Sequence, residues 1–85
     1  MVKPGEIGTA TVYLEAGVVQ YKMAVTVDSV DQIDYVISVH LSTTPLTLAS
    51  AQHVSFKGNV VGFSVILDSN VSGITLTAEV LVLGR

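Results

Sequence analysis

The chain has 85 residues, no Cys, no Trp, four basic against seven acidic side chains, and a formal charge of −3. That length supports one domain, residues 1–85, and the lack of Cys removes disulfides, thiolate metal sites and Cys nucleophiles. Charged residues reach only 13%, against ~25% in an ordinary soluble domain, and hydrophobic residues reach 49%.

Val, Thr and Ile fill 29 of the 85 positions, and such stiff, branched side chains suit a pleated strand. Residues 1–6 read as an extended N-terminal arm without the apolar stretch of a signal peptide. No run of ~18 apolar residues offers a membrane span, so the chain is expected to be made in the cytoplasm. Residues 7–15 form a first strand and Ala16-Gly17 a tight connection. In residues 18–27, Val19, Tyr21, Met23, Val25 and Val27 share one face, and the polar stretch from Asp28 to Gln32 ends the strand. Residues 33–42 alternate again, with Tyr35, Ile37, Val39 and Leu41 expected inward. Residues 43–52 are ambiguous; Leu46 and Leu48 read as a short edge strand behind Pro45. Residues 53–57 and 60–67 flank Gly58-Asn59, a two-residue hairpin turn. A turn cluster over residues 68–73 leads to a final strand over 74–83. The pattern predicts an all-β fold, a six- to seven-stranded antiparallel β-sandwich, with a small barrel as the alternative.

The strand faces carry the main functional expectation. With Val61, Phe63, Val65 and Leu67 inward, and Ile74, Leu76, Ala78, Val80 and Val82 likewise, the outward set still holds Val36, Val60, Ile66, Leu81 and Leu83. Water-facing strand positions ordinarily carry polar residues, and a contiguous apolar outer surface marks an interface. A homo-oligomer is therefore expected. His40, on the outward face of its strand, would make assembly sensitive to pH if it sat on a symmetry axis.

Candidate chemistry is sparse. Asp68 to Glu79 fits D-x-N-x-S-G-x5-E, the spacing of a helix–loop–helix calcium loop. Both flanks read as strands, so a polar turn is expected in place of a metal site. Asn70-Val71-Ser72 matches a glycosylation acceptor, expected to be idle. His40 and His53 have no ligand-type residue two positions away, and His40 shares a straight strand face with Ser38 and Asp34, which line up without converging. Asp28, Asp31 and Asp34 cluster as ordinary turn acids. The four cations, Lys3, Lys22, Lys57 and Arg85, are scattered and offer no basic face for nucleic acid. No catalytic residue, cofactor or resident metal is expected. If a ligand binds, the loop side chains Asp31, Asp34, Asp68 and Asn70, with the aromatic Tyr13, are the expected contacts.

The order Tyr35-Val36-Ile37-Ser38-Val39, His53 to Lys57, Gly62-Phe63-Ser64-Val65 and Ile74 to Gly84 resembles a known family. It is similar to the small β-sandwich at the ends of phage tail-fibre proteins and in H-type lectins, over residues 21–84. The resemblance implies a six-stranded antiparallel sandwich, commonly trimeric, displayed on a virion or acting as a lectin. The family's closing Trp, in W-x-A-x-G, is missing; here the stretch is Glu79-Val80-Leu81-Val82-Leu83-Gly84. No sugar-binding position carries over. The expected function is a non-catalytic, self-associating structural or attachment protein, a decoration or tail-tip component of a phage virion that contacts the virion lattice. The alternative is a lectin-like module binding cell-surface glycans through the polar loops.

Overall fold

The computed structural model describes residues 2–85. Six strands make up the fold: β1 Lys3–Leu14, β2 Gln20–Thr26, β3 Ile33–Thr44, β4 Ala49–Lys57, β5 Val60–Leu67 and β6 Ile74–Gly84. They form two three-stranded antiparallel sheets, ordered β1-β6-β3 and β2-β5-β4. The all-β expectation holds, and the sheets face each other as a sandwich rather than closing into a barrel. Each sheet is centred on a strand whose alternation is strict. Along β6, Ile74, Leu76, Ala78, Val80 and Val82 are buried, and along β5, Val61, Phe63, Val65 and Leu67 are buried. Met23 and Val25 of β2, with Val27 directly after it, complete the facing layer. Hydrophobic burial on the two inner faces is the main favourable contribution to the fold.

Successive strands run in opposite directions, so the loops alternate between the two ends of a body 45 Å long. Loops 15–19, 45–48 and 68–73 lie at one pole; loops 27–32 and 58–59 lie at the other with both chain ends. At the first pole Asn70 ties the turns together. It is 8% exposed, and its Nδ2 donates to the carbonyls of Glu15 and Val18 at 2.9 Å each and of Leu14 at 3.4 Å. Its Oδ1 accepts the Gly73 N–H at 2.9 Å. At the second pole the Ile33 N–H donates to the Gly58 carbonyl at 2.7 Å, joining the two sheets. Gln32 and Arg85 exchange backbone bonds at 3.0 and 2.9 Å there.

Three expectations change. First, β1 begins at Lys3, which pairs with Gly84, so residues 3–6 belong to the sheet; Met1 of the expected arm lies outside the described residues. Second, residues 45–48 form a loop, and the strand expected at 53–57 starts at Ala49. Leu46 and Leu48 are 91% and 78% exposed. Thr43 turns the chain here: its Oγ1 accepts the Thr47 N–H at 2.9 Å. Third, Tyr35 and Ile37 do not point into the core. The β3–β6 register shifts between Ile33 and Tyr35 and again between Val36 and Ser38. Each shift inserts one residue, and a one-residue slip exchanges the faces of a strand. Val36, expected outward, packs against the core as a result, Val39 and Leu41 beyond the second shift keep their expected inward face, and Tyr35 and Ile37 are 60% and 45% exposed.

The two long sides of the sandwich differ. On the β1/β2 side the backbones come close: a Cβ on Gly8 would lie 2.8 Å from the Thr26 carbonyl oxygen. On the β3/β4 side a groove lies between the two edge strands.

Candidate functional site

The outward residues expected to form one interface fall into three places. Leu81, Leu83 and His40 lie on the outer face of the β1-β6-β3 sheet, and Val60 and Ile66 on the outer face of the other sheet. Val36 is turned by the β3 bulge toward the core. The six therefore do not share a surface.

The first sheet nevertheless carries a contiguous apolar patch, because residues outside the expected set join Leu81 and Leu83. Ile7 pairs directly with Leu81, and Tyr35 pairs with Leu83. On β3 Leu81 pairs with Ser38, and Ile37, the extra residue of the bulge, stands beside that pair. Ile7 is 53% exposed. The patch occupies the half of the sheet toward the chain ends. The rest of this face is polar, with Thr9, Glu79 and His40 in one cross-strand row and Thr11, Thr77 and Ser42 in the next. Thr11 and Thr77 share a hydroxyl hydrogen bond at 3.1 Å. The outer face of the second sheet lacks such a patch: Val60 and Ile66 are separated along β5 by Gly62 and Ser64 and flanked by Lys22, Gln52 and Lys57.

The open side of the sandwich holds a groove of about 720 Å³ between β3 and β4. Its apolar wall comes from Val36, Val39 and Leu41 on one strand and Ala51, Val54 and Phe56 on the other. A second bulge shapes it: the β4–β5 register shifts between Gln52 and Ser55, where His53 has φ 55°. Alternating Ser and Gln with small apolar residues in β4 hid this wall from periodicity.

The expected ligand-facing side chains separate by pole. Asp31 and Asp34 sit at the pole of the chain ends, and Asp34 pairs with Arg85 at 3.1 Å across a partly exposed contact. Tyr13, Asp68 and Asn70 sit at the other pole. Tyr13 leaves its ring exposed and its hydroxyl over Gly73. Asn70 faces the protein, and its amide is committed to the turn carbonyls, so it offers neither a ligand contact nor room for a glycan. Glu79 lies in the middle of β6, opposite Thr9 and His40. Six residues of strand carry it ~20 Å from the 68–73 turn, too far to close a loop around a cation with Asp68. Among the described residues no three His, Asp or Glu side chains converge. Comparison with family models, with curated proteins and with solved structures finds no match to this chain.

Proposed function

We propose that the protein is a non-catalytic, self-associating structural subunit that uses the outer face of its β1-β6-β3 sheet as an assembly surface. The observation that carries this reading is the cross-strand patch Ile7–Leu81 and Leu83–Tyr35, apolar side chains on a face where strand positions ordinarily hold polar ones. Its partner is another copy of the chain. The setting we propose follows the resemblance to tail-fibre and H-type lectin sandwiches: a decoration or tail-tip subunit of a virion, with trimeric order.

Light scattering across a dilution series tests the reading. The wild-type chain is expected to form a stable oligomer, and Leu81→Lys to give a smaller particle with unchanged circular dichroism. Leu81 is only partly buried on the outer face, so a Lys stem can lie along the sheet with its ammonium in water. A monomeric wild type, or a Leu81→Lys variant of unchanged native mass, would refute the proposal.

A further inference from the structure

We infer that the free edge of β1 pairs with β1 of a second copy, in antiparallel register about a two-fold axis at Ala10. This deepens the assembly reading above by assigning a second surface and its symmetry. A three-on-three sandwich exposes four edges, each a row of unpaired backbone groups that invites another strand. Two of them are interrupted by bulges, and a third, β2, is unbroken over only seven residues. The β4 edge has a bulge at His53 and ends in Lys57, the β3 edge has two register shifts, and the β2 edge carries Lys22. The β1 edge differs. β1 has its own shift between Lys3 and Glu6, next to Pro4, but from Glu6 to Leu14 its register with β6 is unbroken, a nine-residue run without Lys or Pro. Among the described residues, no backbone bond outside that ladder involves residues 6–13.

The run also complements itself. Ala10 is its midpoint, so an axis there is the one register that uses the full length. Outward side chains then meet as Ile7 with Tyr13 and Thr9 with Thr11, pairs of the kinds that stabilise sheets. Ile7 and Tyr13, 53% and 61% exposed in the single chain, would cover each other. On the inner face Gly8 meets Val12 and Ala10 meets Ala10. The run's only charge, Glu6, faces Leu14 instead of another carboxylate. The result is a continuous six-stranded sheet.

Because the chain lacks Cys, Ala10→Cys gives a single thiol on the proposed axis. Directly opposed strand residues lie ~4.5–5.5 Å apart at Cα, within disulfide reach. Mild oxidation is expected to link most of the chain into covalent dimers, while Ala24→Cys on the β2 edge stays largely unlinked. Register is tested by paired substitution. Thr9→Lys with Thr11→Lys sets like charges opposite each other and should remove the even-numbered species. Thr9→Lys with Thr11→Glu sets opposite charges there and should restore it. Equal linking at both Cys positions, or identical native masses for the two Thr double variants, overturns the edge contact. If the wild type is still oligomeric and Leu81→Lys still shrinks it, the face reading survives that failure; a monomeric wild type removes both.

Discussion

Asn70→Ala should be among the most damaging polar substitutions in the molecule, although Asn70 stands in a turn. Its amide makes three good hydrogen bonds, to Glu15 O, Val18 O and from Gly73 N, each at 2.9 Å, and a weaker one to Leu14 O at 3.4 Å. At a net ~1 kcal/mol per bond, the three short ones together contribute roughly 3 kcal/mol. An 85-residue domain has only about 4–13 kcal/mol in all. For a domain of this size ~1 kcal/mol shifts Tm by about 4–8 °C, so the melting point should fall by roughly 12–24 °C. Asn70→Asp supplies the discriminating comparison. It keeps the acceptor for Gly73 N–H but turns a carboxylate toward three carbonyl oxygens, which raises its native pKa above the unfolded ~3.9. The native state then binds more protons than the unfolded state, so stability falls as pH rises from ~4 through that raised pKa. Urea unfolding of both variants at pH 4 and pH 7 measures this. A loss below ~1 kcal/mol for Asn70→Ala, or an Asp variant more stable than the Ala variant at pH 7, would refute the account of Asn70 as the tie between the turns.

Three further outcomes follow from packing. Gly84→Ala would place a Cβ 2.6 Å from the Gln32 carbonyl oxygen and 2.9 Å from Val30 Cγ1; the two backbone bonds between Gln32 and Arg85 resist movement, so a loss of ~1–3 kcal/mol is expected in urea unfolding. Leu76→Ala, at a fully buried position of β6, should cost ~2–5 kcal/mol by the same assay. Asp34→Asn breaks the Arg85 pair, but the contact is solvent-exposed, and its loss should be below ~1 kcal/mol and smaller still in high salt.

The strands that were legible are those at the centres of the sheets. β5 and β6 have neighbours on both sides, and every bulge in their ladders falls on the partner strand, so period-2 alternation in Val60–Leu67 and Ile74–Gly84 survives into the structure unchanged. Edge strands follow the pattern less closely, because an inserted residue costs them only one ladder. That is why Tyr35 and Ile37 changed face, and why the Ala-Ser-Ala-Gln start of β4 escaped notice. The scatter of the ligand-loop residues has a simpler cause. Loops after odd strands share one pole and loops after even strands the other, so Asp31, after β2, cannot meet Asp68, after β5. Counting strands would have separated them. The patch was only half visible: Leu81 and Leu83 were read correctly as outward, but Ile7 and Tyr35 join them only through the β6 register.

The face and edge surfaces reinforce each other through geometry. In the β1 pairing, residues opposite each other project to the same side, so the outer faces of both sheets become one surface. The two patches, each built on Ile7, Leu81, Leu83 and Tyr35, then look in the same direction from either side of the axis. A subunit with one patch binds a lattice, or another copy, with the affinity of that patch alone. A pair with two aligned patches converts the second contact into an intramolecular one, which raises avidity without adding any contact. Breaking the edge with paired Lys substitutions at Thr9 and Thr11 should therefore leave each patch intact and still move face association to higher concentration in the dilution series. A midpoint unchanged by that substitution would mean that the two surfaces act independently, and that the patches do not lie on a shared face.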